Sequence, residues 1–144
     1  MIINIKALEI NETNYTLIIN LYNNFSKIDK NILNFKNYKS IVERLPQNHN
    51  IYFYIDNEKI IGAITLIIEE KFIHNGGKVG HIEDLIVLED YRKQGIGSLL
   101  CNYVKHLCIQ NKCYKMILDC DELIENYYIK KGFTKKGSYL GYYF

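Results

Sequence analysis

The spacing of apolar residues in the first third of the chain predicts one strand and two helices. Residues 2–8 alternate weakly between apolar and polar side chains, as expected for a first strand. Asn11 is a good N-cap residue for a helix that follows it, and a second short helix fits residues 34–45, before Pro46. The apolar residues at helical spacing in the first helix are Tyr15, Ile18, Tyr22 and Phe25.

Three β runs are predicted in the middle of the chain. Residues 51–55 are strongly β-forming, and the turn at 56–58 leads into a second run that extends from 59 to about 72. Residues 75–77, Asn-Gly-Gly, make the next turn, and a third β run covers 79–88. The first two runs are therefore expected to form a hairpin.

The second half of the chain returns to alternating helices and strands. Apolar residues from Ile96 onward recur at i, i+3, i+4, i+7, i+8 and i+11, which predicts an amphipathic helix. Residues 114–120 are expected to be a strand, 122–131 a short helix closed by Gly132, and 133–144 a last strand rich in aromatic residues. The element order β-α-α-β-β-β-α-β-α-β predicts a mixed α/β fold, a central mixed sheet flanked by helices, in one domain spanning residues 1–144.

Composition narrows the possible partners. The 144 residues carry a formal charge of +2, with acidic and basic side chains interleaved, so nucleic acid is not an expected partner. The apolar opening of the chain is interrupted by Asn4 and Lys6 and is too short for a signal peptide or a membrane span, so a cytoplasmic location is expected. Four cysteines without metal-type spacing predict buried free thiols rather than a metal site or disulfides.

Residues 92–98, Arg-Lys-Gln-Gly-Ile-Gly-Ser, form the sharpest local motif, and we call them the phosphate turn. Glycines between a strand and a helix let free backbone N–H groups point at an anion, and the helix start carries a partial positive charge. A tight turn with a glycine N-cap explains the same residues about as well. A Walker A loop is excluded because no Gly-Lys-Ser/Thr follows, and the Gly-x-Gly-x-x-Gly of a Rossmann fold is absent.

The pattern Arg-x-x-Gly-x-Gly between a strand and a helix resembles the coenzyme A pyrophosphate loop of the GNAT superfamily. Further segments resemble its glucosamine-6-phosphate N-acetyltransferase branch, and the likeness runs over roughly residues 62–134. The segments that carry it are Glu-Lys-Phe-Ile-His-Asn at 70–75, Gly-His-Ile-Glu-Asp at 80–84, Cys-Tyr-Lys at 113–115, Ile-Leu-Asp-Cys-Asp-Glu at 117–122, Tyr-Tyr at 127–128 and Lys-Gly-Phe at 131–133.

This resemblance implies acetyl transfer from acetyl-CoA, without a metal, to the 2-amino group of glucosamine 6-phosphate by direct attack in a ternary complex, a step toward UDP-N-acetylglucosamine. The implied catalytic residues are Glu83, Asp119 and Tyr128. The implied coenzyme contacts are Leu85, Ile86, Val87, Arg92, Lys93, Gln94, Gly95, Ile96, Gly97, Ser98 and Asp119. The implied sugar-phosphate contacts are Lys71, Phe72, Ile73, His74, Glu83, Asp84, Leu85, Tyr114 and Lys115.

The residues themselves leave alternatives open for several of these roles. Glu83 and Asp84 are neighbours on a strand and would face opposite ways, so both can contact substrate only if the strand twists or bulges there. Without the resemblance, two solvated strand carboxylates are the simpler explanation. The resemblance places Tyr128 near the coenzyme sulfur, where a phenol can protonate a departing thiolate, but Tyr128 could also be a core tyrosine, a role we expect instead for Tyr127.

Two features of the chain differ from the family pattern or extend it. Ile124 stands where the family usually has an asparagine that contacts the coenzyme, and the chain ends in aromatic rather than basic residues. An exposed aromatic strand is costly in a monomer, and the resemblance implies a homodimer in which carboxyl-terminal strands cross and the active sites are shared. Two other functions stay open: a GNAT enzyme with another amine acceptor, and a non-catalytic acyl-CoA-binding module.

Overall fold

The computed structural model describes residues 1–144, and its centre is a five-stranded sheet in the order β1-β2-β3-β4-β5. Strands β1 to β4 pair antiparallel, whereas β4 and β5 pair parallel. The strands are β1 (Ile2–Asn4), β2 (His49–Asp56), β3 (Lys59–Glu70), β4 (Lys78–Val87) and β5 (Cys113–Ile117). The mixed sheet confirms the predicted fold class.

Five α-helical segments and two short 3-10 turns accompany the sheet. The helices are α1 (Glu12–Asn23), α2 (Phe35–Arg44), the single turn α3 (Ile73–Gly76), α4 (Ile96–Gln110) and α5 (Glu122–Ile129). The 3-10 turns are Ile5–Ala7 and Glu89–Tyr91. None of these helices has the length and apolar character needed to cross a bilayer.

Apolar side chains pack on both faces of the sheet. On one face, α4 buries Leu100 and Val104 against β3 and β4. On the other face, α1 and α2 pack Leu21 and Val42 around Phe53, which is fully buried. Because both faces are covered, the central strands β2 and β3 hold the core and fix the position of β4 between α4 and α1.

Local capping explains where several elements begin and end. The Asn11 side chain accepts a hydrogen bond from the backbone N–H of Asn14 at 2.8 Å, as the predicted N-cap requires. Asn4 accepts one from Lys6 N–H at 2.9 Å and starts a 3-10 turn, so the first strand ends four residues earlier than predicted. Gly132 has φ +90° just past α5, the left-handed conformation expected of a residue that ends a helix.

The predicted strand over residues 133–144 is wrong for the single chain. These residues form no strand, and their last backbone hydrogen bond is from Phe133 N–H to the Tyr128 carbonyl. A strand needs a neighbouring edge to pair with, and none in this chain is joined to the segment. Its large side chains are exposed: Tyr139, Leu140, Tyr142, Tyr143 and Phe144.

All four cysteines are free thiols. Cys101 and Cys108 are buried on the inner side of α4, as predicted, whereas Cys113 and Cys120 are half-buried. Burial raises the pKa of the Cys101 thiol to about 11, so this thiol is protonated near neutral pH.

Candidate active site

A β-bulge in β4 opens the site. Ala63 pairs with Ile86 and Thr65 with Glu83, so two residues of β4 stand opposite one residue of β3. Asp84, one of the two extra residues, has φ +48°. Glu83 and Asp84 are both exposed. Because of the bulge, Glu83 and Asp84 need not face opposite sides of the sheet. This is the condition under which both carboxylates can contact one substrate.

Beyond the bulge, β4 separates from β5. The parallel pairing between the two strands ends at His81 and Ile117, so the rest of β4 has no strand neighbour on that side. The separation leaves a gap flanked by the last residues of β4 and by the chain that follows β5. Leu85 and Val87 are half-buried in this stretch, and Ile86 is buried on the α1 side. Backbone groups along the free edge of β4 are therefore available to a ligand.

The phosphate turn follows directly at the end of β4 and has the geometry of an anion site. Gly95 adopts φ +86° at the N-cap of α4 and provides no side-chain cap. The first hydrogen bond of the helix runs from Leu99 N–H to the Gly95 carbonyl at 3.0 Å, which leaves the N–H groups of Ile96, Gly97 and Ser98 without helical partners. These donors and the helix dipole fit the pyrophosphate of a coenzyme.

The basic residues of the turn are exposed. Arg92 donates from Nε to the Val87 carbonyl at 3.1 Å, which anchors the turn to the end of β4. Gln94 donates to the Asp90 carbonyl at 3.0 Å, and Lys93 has φ +60°. The side chains of Arg92 and Gln94 thus hold the turn against the preceding segment.

Glu83 has the electrostatic properties of a base. Partial burial, then the nearby carboxylates of Asp119 and Asp84, raise the pKa of the Glu83 carboxyl above its usual value, while His81 acts in the opposite direction. Asp119 lies just past β5 on the other side of the gap and is exposed. The carboxylate that follows β5 thus acts across the gap on Glu83 at the bulge.

Tyr128, on α5, packs on the α4 side of the same region. It is buried against Phe133 and Tyr127, and burial together with Cys101 raises the pKa of its phenol well above the ordinary range. The Asp119 carboxylate makes the smallest contribution to this rise. The phenol is therefore protonated at working pH.

The expectation that Tyr127 would be the core tyrosine of the pair is wrong. Tyr127 is 37% exposed, against 8% for Tyr128. Its hydroxyl lies over the phosphate turn, 2.6 Å from where a Cβ on Gly97 would stand. The two neighbours point in different directions on α5, so the one nearer the core is also the catalytic candidate.

The residues expected to hold the sugar phosphate lie toward the other end of β4. Lys115 aligns with Val79, four residues before Glu83, which is about 13 Å along the strand. The His74 ring stacks on Tyr114 at a centroid distance of 4.3 Å and ties the α3 turn to β5. In the single chain these residues therefore lie away from Glu83.

The two predicted lysines differ in their partners. Lys71 forms an ion pair with Glu69, so its charge is already neutralised in part. Lys115 is exposed, lies 5.6 Å from the centre of the Tyr114 ring and pairs with no carboxylate. Phe72 and Ile73 are strongly exposed on the turn between β3 and β4. Lys115 thus has the freer charge for a phosphate.

The sequence alone did not indicate the polar row that leads from Lys71 toward Glu83. His81 Nε2 lies 2.8 Å from Glu69 Oε2, and the pairing register places His81, Glu83 and Thr65 on one face of the sheet. From α1, Tyr22 reaches the same region, and its pKa is raised by burial and by the carboxylate of Asp84. Alternation along β4 could have identified His81, but nothing local could have identified Tyr22.

No group of three or more His, Cys, Asp or Glu side chains in the structure has an arrangement that could hold a metal ion.

Comparison with known proteins agrees with this geometry. The model of the Acetyltransferase (GNAT) family matches residues 15–136. Glucosamine 6-phosphate N-acetyltransferase 1 of Dictyostelium discoideum is 42% identical over 85 residues, which are 59% of this chain and 54% of that protein. The Schizosaccharomyces pombe enzyme of that name is 34% identical over 94 residues, 62% of this chain and 85% of that protein.

A solved structure extends the likeness to the whole fold. The crystal structure of glucosamine-6-phosphate N-acetyltransferase from Arabidopsis thaliana has a TM-score of 0.83 and 26% sequence identity, over 100% of this chain and 99% of that one. By sequence, this chain spans only about half the length of the Dictyostelium relative. A family match over most of the chain, together with the bulge, the gap and the phosphate turn, establishes that the chain belongs to the GNAT acetyltransferase family.

Proposed function

We propose that this protein transfers the acetyl group of acetyl-CoA to the 2-amino group of glucosamine 6-phosphate. The observation that carries the proposal is the bulge that exposes Glu83 and Asp84 on β4 ahead of the phosphate turn, with Asp119 following β5 across the gap. The names of the Dictyostelium, fission yeast and Arabidopsis relatives support this acceptor.

The phosphate turn and the free edge of β4 would hold acetyl-CoA, whose thioester supplies the activated acetyl group. The N–H groups at the start of α4 and Arg92 face the pyrophosphate in this proposal, with Lys93 and Gln94 alongside. Residues 85–87 line the approach to the bulge through their backbone. This arrangement places the reactive end of the coenzyme next to the carboxylates.

Glu83 would take the proton from the substrate ammonium. A free amine is the nucleophile, and a carboxylate whose pKa is raised is a better base than an ordinary glutamate. Asp84 and Asp119 favour the cationic substrate before the proton leaves, and the backbone at Asp119 can orient the amine. The acidic surroundings thus bind the substrate as its ammonium ion, and Glu83 converts that ion to the free amine.

Tyr128 would donate a hydrogen bond to the departing sulfur. Because its pKa is raised by burial, the phenol keeps its proton until a thiolate develops nearby. A hydrogen bond to the developing charge stabilises it more than the neutral thioester, which is what acceleration requires. Full proton transfer is completed only as the sulfur charge builds up.

Lys115 and Tyr114, with the segment 71–74, would hold the sugar phosphate. Within one chain they lie toward the far end of β4, while the β5 edge and the apolar tail at 139–144 are exposed. A homodimer in which one subunit completes the acceptor site of the other explains both facts. The cytoplasmic location stays a prediction from the sequence.

Release of free coenzyme A thiol from acetyl-CoA tests the proposal. Glucosamine 6-phosphate, unphosphorylated glucosamine and spermidine are compared side by side as acceptors. Turnover confined to the phosphorylated sugar is the expected result. Activity only with spermidine contradicts glucosamine 6-phosphate as the acceptor but is still consistent with acetyl transfer by this family. Tight acetyl-CoA binding with no turnover for any amine indicates a non-catalytic module.

A further inference from the structure

Lys131 brings a cation to the phosphate turn from a distant part of the sequence. It follows α5, two residues past the end of that helix, yet its Nζ donates a hydrogen bond to Ser98 Oγ at 2.6 Å. Ser98 is in the first turn of α4, beside the unpartnered N–H groups of Ile96 and Gly97. A charge 33 positions away in the chain therefore stands at the start of the coenzyme helix.

The surroundings of Lys131 leave its charge uncompensated. No carboxylate forms an ion pair with it, although Lys71, Lys78 and Lys135 elsewhere on the surface each have one. Instead its Nζ lies 4.1 Å from the centre of the Tyr127 ring, and the residue is half-buried. The phenol ring holds the ammonium in place without neutralising it.

This placement is unfavourable for the free protein. The start of α4 carries the positive end of the helix dipole and free N–H donors, so a cation there is repelled rather than attracted. An anion at the same spot would be attracted by the helix dipole, by the free N–H groups and by Lys131. The cluster of Lys131, Ser98 and the first N–H groups of α4 is thus poised for a negatively charged group.

We propose that Lys131 is a coenzyme-binding residue that pairs with the pyrophosphate of acetyl-CoA, reaching it from α5 across the start of α4. The inference rests on the coenzyme site of the proposed function and adds to it a residue outside the Arg-x-x-Gly-x-Gly motif. Lys131 differs from Arg92 and Lys93 in being half-buried, and a partly desolvated charge-assisted hydrogen bond is worth more than an exposed one.

Calorimetric titration of coenzyme A into the protein tests this assignment without any acceptor. Lys131→Met is expected to weaken the Kd on the order of tenfold, the effect of losing one hydrogen bond between charged groups. Lys131→Arg keeps the charge and is expected to retain most of the affinity. Lys130→Met is the matched control, because Lys130 is the neighbouring lysine and is exposed.

Dephospho-coenzyme A separates the two phosphate sites of the ligand. It keeps the pyrophosphate and lacks the 3′-phosphate, so the loss caused by Lys131→Met is expected to be the same as with coenzyme A. Loss of the effect with this ligand overturns the assignment to the pyrophosphate. Equal affinity of Lys131→Met and the unmodified protein for coenzyme A overturns it altogether.

Folding and the acceptor question are controlled separately. Thermal melting of each variant without ligand shows whether Lys131 has a structural role. The proposal is contradicted if Lys131→Met melts at a lower temperature than the unmodified protein and Lys131→Arg binds coenzyme A as weakly as Lys131→Met does. Because the titration contains no amine, failure to acetylate glucosamine 6-phosphate leaves the result standing. A normal reaction with unchanged coenzyme affinity in Lys131→Met refutes only the role of Lys131.

Discussion

The two ends of β4 differ in how completely one chain builds them. At the carboxyl end, β4, α4, the residues after β5 and α5 bring the carboxylates, the phenol and the phosphate turn together within a single chain. At the amino end, the α3 turn and the β5 edge present exposed apolar and basic side chains. We propose that the carboxyl end is a self-contained coenzyme half and that the amino end is an acceptor half completed by a second subunit.

This difference has a physical basis in the packing. The carboxyl end of β4 is held by a buried apolar cluster that includes Ile82, Leu100 and Tyr128, so functional groups there are fixed by the core. At the amino end, β4 itself is anchored by the buried Val79, whereas the side chains of the α3 turn are held by surface contacts such as the stack of His74 on Tyr114. We expect substitutions in the two halves to change different kinetic and binding constants.

The largest effect is expected from Tyr128→Phe in the coenzyme half. The change removes the hydrogen bond to the departing sulfur and is expected to lower kcat about a hundredfold with little change in KM for either substrate. Steady-state rates of thiol release measure it. Tyr103→Phe is the matched control, because Tyr103 packs on Tyr52 away from the gap. Unaltered turnover in Tyr128→Phe would rule out the proposed acid.

Lys115→Met in the acceptor half is expected to raise KM for glucosamine 6-phosphate about tenfold. The lost contact is with the phosphate, so rates with unphosphorylated glucosamine and the Kd of coenzyme A are expected not to change. Lys105→Met, on the exposed side of α4, is the control. A change in coenzyme affinity would show that the two halves are not separate.

Removal of residues 139–144 tests whether the acceptor half needs a second subunit. Because the tail exposes five large apolar side chains, we expect its loss to shift the protein from dimer to monomer in analytical ultracentrifugation. KM for the acceptor is expected to rise while calorimetric coenzyme binding stays intact. A full-length protein that is already monomeric and active contradicts the shared-site proposal.

The smallest effect is on stability. Partial burial and the nearby carboxylates of Asp119 and Asp84 raise the Glu83 pKa, so above that pKa the charged carboxylate destabilises the folded state, and Glu83→Gln removes this cost. The variant is expected to lose activity yet melt about one or two degrees higher at neutral pH, a small gain because the group is exposed. Below the Glu83 pKa the unmodified carboxyl is neutral, so the difference is expected to disappear. Melting curves from pH 4 to 8 check the sign.

The same raised pKa predicts the acid side of the activity profile. Glu83 must be deprotonated to act as a base, so kcat/KM is expected to fall as the pH drops through a value above the ordinary range of a glutamate. Asp84→Asn removes one repelling carboxylate and is expected to move this fall to lower pH. An unmoved profile would indicate that another group is the base.

The sequence by itself determined the sheet, the main helices and the phosphate turn. Period-2 runs and 3.6-residue periodicity are local, and a glycine before a helix needs no distant partner. These features can therefore be predicted without knowledge of the fold. A twist or bulge at Glu83 and Asp84 was expected only on the condition that both contact the substrate, because neighbouring strand residues otherwise face opposite ways, and β4 has a bulge there.

Only the tertiary structure decided which residues meet. The burial of Tyr128 rather than Tyr127 depends on how α5 rotates against α4, and Lys131 reaches Ser98 across 33 positions of sequence. The tail forms no strand because a strand requires an edge to pair with, which no local preference can supply. Side-chain partners across the fold are set by packing geometry, and that information is not contained in any short segment of the chain.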